Sequence, residues 1–416
     1  MDRVARISSE VKAPNKEGGF GKIGVKAPTD VVVVSALRTP FTKSNRGDLK
    51  DTAPEVLLAT VVAAVVKDSK IDPNLIEDMQ VGNVNQPAAG ALTSRIAQLL
   101  AELPIKVPVA AVNRQCSSGL EACAIIAAKI KTGIIECGLG CGVESMTLFS
   151  MNDIVDPAKL SDASFDHPIA SNCLLNMGET SEIMAERYKI TRKDVDTYAA
   201  ESFRRAVEAQ KNGLFDAEIT PVKTTIKDKD GKVTQVTVTK DDGIRPTPIE
   251  TLSKLKPSFR GDGISHAGNS SQVVDGAAAV LLMTRRMANK LGLKIMGKFI
   301  SHSVIGVPPD VMGIGPTVAI PMALSQAGIN VNDVDIFELN EAFASVAVLA
   351  IRELKLDAKK VNPKGGAIAF GHPLGTTGAR QVATLLNELK RTGKKVGVIS
   401  MCIGTGMGAA AVLEAE

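Results

Sequence analysis

Val31 to Val34 form a run of β-branched residues bounded by Pro28 and Ser35. The run is continuous rather than alternating, so the stretch from Asp30 predicts a strand buried on both faces. Pro54 to Lys67 has the length and Ala/Leu content of a helix. Met79 to Val84 predicts a short strand and Ser94 to Leu103 a second helix. Val109 to Asn113 predicts a strand that ends in a turn around Cys116, and Gly119 to Lys131 predicts a helix rich in Ala and Ile. Cys137 to Val143, small and apolar, fits another fully buried strand. Strands alternating with helices imply an α/β architecture with helices on the sheet faces.

The pattern changes after Glu144-Ser145-Met146. Thr191-Arg192-Lys193-Asp194 predicts a capping box opening a helix towards Gly213, and Lys223 to Lys240 alternates around Asp230-Gly231 as a hairpin does. The α/β pattern resumes near Gly276. Strands are expected at 333–338, 395–401 and 409–413, and helices at 341–354 and 378–390. The expected division is an N-terminal arm (1–29), an N-terminal α/β half (30–146), an inserted domain (147–272), the end of the N-terminal half (273–295) and a C-terminal α/β half (296–416). In both halves a strand runs into a glycine-rich turn bearing a reactive residue, which suggests a duplicated fold.

Composition narrows the classes. The 416 residues are 44% hydrophobic and 23% charged, as in an ordinary globular protein. Aromatics are only 3% and Trp is absent, so the core is aliphatic. The net charge of +4 comes without a concentrated basic stripe, against a nucleic-acid partner. No apolar run is long enough to span a bilayer. Six cysteines in so long a chain point to reduced thiols in an intracellular compartment.

The chemistry lies in glycine-rich loops. Cys116 stands in Asn113-Arg114-Gln115-Cys116-Ser117-Ser118-Gly119, His372 in Gly371-His372-Pro373-Leu374-Gly375, and Cys402 in Met401-Cys402-Ile403-Gly404-Thr405-Gly406. At the start of a helix the Cys116 thiolate is expected to be favoured by the helix dipole. An isolated cysteine is more often structural, as Cys123, Cys137, Cys141 and Cys173 are expected to be. For Cys116 the flanking serines and the two distant loops reverse that order. A Cys–His pair suits nucleophilic catalysis, and a hydrolase would not need the second cysteine. A thiol's ordinary pKa of about 8.5 lets Cys402 shuttle protons. The absence of a CxxC pair argues against zinc, and no metal is expected. His167 and His302 read as surface or loop residues. His266 could touch a ligand, though a structural role is slightly favoured. Asn340-Glu341 could orient a water or the histidine, or simply cap a helix.

Together these residues resemble the thiolase family, and within it the degradative 3-ketoacyl-CoA type of peroxisomes. The resemblance covers roughly 30–416. It is carried by 113–119, Gly142-Val143-Glu144-Ser145-Met146, Asn172 to Gly178, Ala267-Gly268-Asn269-Ser270-Ser271, Asn340-Glu341-Ala342-Phe343-Ala344, Gly365 to Gly375 and Ser400 to Gly408. It implies two similar α/β halves in five α-β-α-β-α layers with an inserted loop domain. It also implies a homodimer, in some members paired into a tetramer.

By motif matching, Cys116 would be the nucleophile, His372 its activator and Cys402 the acid/base. Asn340 would hold a water that forms one oxyanion hole with His372, and the N–H groups of Cys116 and Gly404 the other. Ser271 would meet the pantetheine arm of coenzyme A, with Met177 and Phe343 nearby, and Arg245 its nucleotide end. Coenzyme A is then a substrate and no cofactor is implied. Asn176 stands where biosynthetic relatives often carry His. An acetoacetyl-CoA thiolase running towards condensation is the first alternative. A ketoacyl synthase, which would carry His or Asn in place of Cys402, and a binding protein without turnover rank lower. Arg3-Val4 and Glu10-Val11 have the spacing of a peroxisomal address with Glu in place of His or Gln. Peroxisome is the expected location, with mitochondrion or cytosol as alternatives.

Overall fold

The structure, a computed structural model, describes residues 19–151, 155–228 and 230–416. The address-like pattern at Arg3 to Val11 lies outside them. Twelve strands are described: β1 (Val31–Arg38), β2 (Thr42–Lys43), β3 (Asp78–Gly82), β4 (Val109–Val112), β5 (Cys137–Ser145), β6 (Val222–Lys227), β7 (Val233–Val238), β8 (Val274–Thr284), β9 (Gly297–Gly306), β10 (Ile336–Leu339), β11 (Val396–Ile403) and β12 (Met407–Ala415). The longer helices are α1 (Pro54–Ser69), α2 (Ala91–Leu100), α3 (Ser118–Lys131), α4 (Met177–Tyr188), α5 (Arg192–Lys211), α6 (Gly315–Ala327), α7 (Ala344–Glu353) and α8 (Thr377–Thr392).

The sheet order is β10-β11-β12-β9-β1-β8-β5-β3-β4, with β2 also on β8. It is two half-sheets joined only where Val32 and Val33 meet Lys298 and Gly297. Each half repeats one scheme. In the first, β1 and β5 run antiparallel to β8, and β3 lies parallel to β5. In the second, β9 and β11 run antiparallel to β12, and β10 lies parallel to β11. The alternation of strand side chains divides the core. Val31, Val33 and Ala36 of β1 join one apolar cluster with α3, α8 and residues of β11 and β12. Val32 and Val34 face a cluster with α1. Ala410 and Val412 of β12 face α6. The layers are therefore α1/α2, first half-sheet, α3/α8, second half-sheet, α6/α7.

The central helices touch because two glycines allow it. A Cβ on Gly119 would lie 2.6 Å from the Gly375 carbonyl, and one on Gly378 would lie 2.2 Å from the Leu120 nitrogen. This contact sets the start of α3 beside the start of α8.

The segment between β5 and β8 carries α4, α5 and the β6–β7 hairpin. The capping box at Thr191 and Asp194 forms as expected. Two elements escape the sequence pattern. β9 buries Lys298, Ser301 and Ser303, and α6 carries Pro316 in its first turn and Pro321 inside. The expected strand and helix at 333–338 and 341–354 both shorten. β10 starts at Ile336, and α7 starts at Ala344, past Glu341, which is drawn aside by Tyr198, Ser202 and the Ile368 N–H. His302, expected at the surface, lies in β9 with burial pushing its pKa down to about 4.

Candidate active site

Cys116 occupies the turn between β4 and α3, where Gln115 has a positive φ of 47°. Asn113 Oδ1 accepts the Gln115 N–H at 2.9 Å, Ser118 Oγ accepts the Arg114 N–H at 2.9 Å, and Ser117 Oγ donates to the Arg114 carbonyl at 3.0 Å. The polar residues flanking the cysteine thus rigidify its own turn. The thiol packs against Val84, Met146 and Leu374. Burial pushes it up to about 11, while the N–H groups of Gly404 and of Cys116 itself pull it down. The expected lowering by the helix start is therefore outweighed by desolvation, and the resting group is a thiol.

Cys402 is fully buried near the end of β11. Its thiol is pushed up by burial first and then by the charge of Cys116. Past it the chain reverses through Gly404, Thr405 and Gly406 into β12. Thr405 and Gly406 have φ of 66° and 90°. This hairpin aims the Gly404 N–H at the Cys116 sulfur.

His372 is buried in the turn before α8. Its Nδ1 lies 2.6 Å from Thr377 Oγ1, its Nε2 lies 3.2 Å from Asn340 Nδ2, and its backbone N–H donates to the Gln272 carbonyl at 3.0 Å. Burial, helped by the charge of Arg380, pushes its pKa down to about 3, so the ring is neutral. Asn340 follows β10 and donates its backbone N–H to Ser400 at 2.9 Å. Its buried Oδ1 has no protein partner.

A cleft of about 580 Å³ is lined by Ser271, Ser270, Ala267, Phe259, Lys43 and Arg46, among others. Ser271 donates its N–H to the Ala342 carbonyl at 3.0 Å, and Phe343 meets Phe259 edge-on at 6.0 Å. Met177, at the start of α4, reaches Gly404: its sulfur is 3.6 Å from where a Cβ would stand there. Asn176 caps that helix, its Oδ1 accepting the Gly178 N–H at 2.9 Å. Ser271 thus lines the cleft, Phe343 packs on its Phe259, and Met177 reaches the Gly404 hairpin. Arg245 does not line the cleft. Its guanidinium lies 5.2 Å over the Phe203 ring and donates to Gly243 and Gln272. His266 is held by Asp196 at 2.8 Å and faces no cleft lining. Cys173, expected to be buried, is half-buried with its sulfur 3.8 Å from the Thr405 carbonyl. Among the described residues no three His, Cys, Asp or Glu side chains group as a metal site. No helix among them is long and apolar enough to cross a membrane. Sequence reasoning missed Thr377, whose position five residues after His372 carries no local signal. It also missed Lys43 and Arg46, which join the site only through tertiary folding.

A duplicated, five-layered α/β core with glycine-rich loops bearing Cys116, His372 and Cys402 is the architecture of an acyl-transferring enzyme. The model of the thiolase N-terminal domain matches residues 31–286, and that of the C-terminal domain matches 293–415. The chain belongs to the thiolase family. It is similar to the peroxisomal 3-ketoacyl-CoA thiolase B of Rattus norvegicus, 54% identical over 98% of this chain and 95% of the relative. It is also similar to the peroxisomal 3-ketoacyl-CoA thiolase of Homo sapiens, 55% identical over 92% of this chain and 91% of the relative. Among solved structures, the dimeric peroxisomal thiolase of Saccharomyces cerevisiae aligns with a TM-score of 0.87 at 46% identity, covering 94% of this chain and 99% of that one. The human mitochondrial 3-ketoacyl-CoA thiolase in complex with CoA aligns with a TM-score of 0.83 at 35% identity, covering 93% and 98%.

Proposed function

We propose that the protein cleaves 3-ketoacyl-CoA with coenzyme A, giving acetyl-CoA and a shortened acyl-CoA, as the last step of peroxisomal fatty-acid β-oxidation. What supports this is a pair of buried thiols, Cys116 and Cys402, and a buried neutral imidazole, His372, with the Gly404 N–H on the Cys116 sulfur, in a chain that also carries a basic-rimmed cleft. Relatives named as peroxisomal 3-ketoacyl-CoA thiolases match at 54–55% identity over more than nine-tenths of the chain. An acetyl-CoA acetyltransferase structure from Bacillus anthracis matches at 36%, so the condensing alternative is not favoured.

The resting protonation states suit the steps. With Nδ1–H donating to Thr377, His372 Nε2 carries the lone pair, met in the resting state by the Asn340 side-chain amide at 3.2 Å, that accepts the Cys116 proton. The Cys116 sulfur then attacks the 3-keto carbon. The C2–C3 bond breaks, leaving an acyl group on Cys116 and the enolate of acetyl-CoA. His372, now protonated, and a water on Asn340 take up the enolate oxygen, and Cys402, kept as a thiol by burial, protonates the carbon. The Cys402 thiolate then takes the proton of an incoming coenzyme A, whose sulfur removes the acyl group from Cys116. The N–H groups of Cys116 and Gly404 face the oxyanion of that transfer. Free coenzyme A returns Cys402 to the thiol, and no further cofactor is required.

Ser271, Met177 and Phe343 line the path for the pantetheine arm. Lys43 and Arg46, on the rim of the same cleft, face the phosphates of coenzyme A, a role that the sequence reading gave to Arg245. The protein works as a homodimer. Leu92, 74% exposed, and Ile105, 79% exposed, stand with Leu99 and Leu100 near the open edge of β4. This apolar surface is where a second copy would pack.

The test is coenzyme A-dependent cleavage of acetoacetyl-CoA and of a long-chain 3-ketoacyl-CoA, with Cys116→Ala as control. A higher kcat/KM on the long chain, lost in the variant, is expected. Preference for acetoacetyl-CoA would move the protein to the condensing reading. No cleavage of either by folded protein would remove the enzymatic one.

A further inference from the structure

Glu144 has no part in the steps above, yet it is fully buried beside them. It stands near the end of β5. Its Oε2 accepts the Val84 N–H at 3.0 Å and the Gly375 N–H at 2.9 Å. Its Oε1 accepts the Asn85 N–H at 3.1 Å and the Asn83 side-chain amide at 3.1 Å. Four donors from two separate turns thus converge on one carboxylate. One turn follows β3. The other lies three residues past His372. No Lys, Arg or His pairs with it among the described residues.

Burying a carboxylate without a cation is costly unless its hydrogen bonds are complete. Here four N–H donors supply them. Burial leaves the Glu144 carboxyl pushed up to about 7 against their downward pull, so it is ionised in an assay at pH 8. The neighbours of those donors are the walls of the nucleophile's pocket. Val84 follows Asn83, Leu374 precedes Gly375, Met146 lies two residues beyond Glu144, and all three pack on Cys116.

We propose that Glu144 is a positioning residue for the reaction. Its carboxylate locks the turn after His372 to the turn that walls Cys116. Its charge adds only a minor push on the Cys116 thiol, behind burial. This rests on the assignment of Cys116 and His372 above.

Three measurements on the full chain test it: thiolysis, thermal unfolding, and iodoacetamide alkylation of Cys116 at pH 8. Glu144→Gln keeps the shape, removes the charge and turns one acceptor into a donor facing N–H groups. Its kcat should fall by about 10- to 100-fold with little change in KM, as for an interaction needed only at the transition state. Its alkylation should hold at the wild-type rate or rise slightly, because burial and not this charge dominates the thiol. Glu144→Asp keeps the charge on a shorter arm that cannot span both turns. It should lose turnover while its alkylation stays at the wild-type rate. Parallel loss of alkylation, turnover and melting temperature in Glu144→Gln would reduce Glu144 to fold support, and unchanged turnover would overturn the proposal. If Glu144→Gln does not fold, Glu144→Asp decides: wild-type turnover overturns, reduced turnover with wild-type alkylation supports. Cys116→Ala separates the two levels. If it keeps turnover, the nucleophile assignment fails; if it is inactive while both Glu144 variants are normal, only the Glu144 proposal fails.

Discussion

The two halves of the molecule place different chemistry at matching points of one scaffold. In the first half, β4 lies parallel to β3 and leads through the Cys116 turn into α3. In the second, the equivalent of β4 shrinks to a single parallel bridge between Val361 and Phe337, after which the chain reaches the His372 turn and α8. The last two strands of each half differ more. β11 passes to β12 through three residues, Gly404 to Gly406, whereas β5 reaches β8 only after the whole segment from Met146 to Val273. The tight hairpin delivers backbone donors and Cys402. The long connection delivers Ser271, Met177 and the far wall of the cleft. Duplication thus supplies equivalent turns, and under the proposed function the short loop would serve the acid/base step and the long one substrate recognition.

The largest test of that equivalence compares the two helix-start residues. Cys116→Ala should lower kcat/KM by about 10⁴-fold or more and abolish the acyl-enzyme seen by mass spectrometry. His372→Ala should lose about 10²- to 10⁴-fold, with slow acylation of Cys116 still detectable. An acyl-enzyme in Cys116→Ala, or wild-type rates in His372→Ala, would break the pairing of nucleophile and base across the halves.

The hairpin is tested next. Cys402→Ala should lose about 10²- to 10⁴-fold in carbon–carbon cleavage. It should lose far less in exchange of labelled coenzyme A with an acyl-CoA. A carbanion needs a proton as it leaves, whereas a thiol with a pKa of about 8.5 leaves readily as the anion. Equal losses in both assays would make Cys402 a packing residue of β11.

The recognition side should answer to KM instead. Lys43→Ala and Arg46→Ala should each raise KM for coenzyme A by about fivefold, the scale of one solvent-screened charge contact of about 1 kcal/mol. The kcat should hold, and a pantetheine acceptor lacking the nucleotide should show no change. Arg245→Ala is the internal comparison. If its effect on KM exceeds theirs, the nucleotide end lies over Phe203 and not along the cleft rim.

How much of this was legible depends on where the signal sits. The apolar runs of β1, β5 and β11 lie in consecutive residues and could be read directly. So could the Cys116, His372 and Cys402 turns, because glycines and serines punctuate them locally. β9 was hidden by the polar residues it buries, and α6 by its prolines. The Thr377 contact and the junction at Asn340 are set by tertiary partners. Glu144 is the extreme case. Its motif was visible, but the Gly375 N–H that gives it a role lies 231 positions away, and no local pattern encodes that distance.

The smallest effect separates the ways in which each half ties its central helix to its sheet. In the first half Lys129 of α3 pairs with Asp78 of β3, and the lysine is about one-third exposed. In the second, Arg380 of α8 pairs with Glu338 of β10 at 3.1 Å with both side chains 1% exposed. Burial pushes Glu338 from its ordinary 4.5 up to about 7, against the pull of Arg380. Between those two values the unfolded chain has released a proton that the folded protein keeps. Folding stability then declines as pH rises through that window and levels off above it. Glu338→Gln removes this slope and keeps a hydrogen-bond acceptor for Arg380. Denaturant unfolding of wild type and variant at several pH values should therefore show the variant gaining on the wild type from about pH 4.5 to about pH 7, with a constant difference at higher pH. A difference that does not change with pH would mean that Glu338 is ionised throughout, and that the second half is clamped by a standing ion pair as the first is.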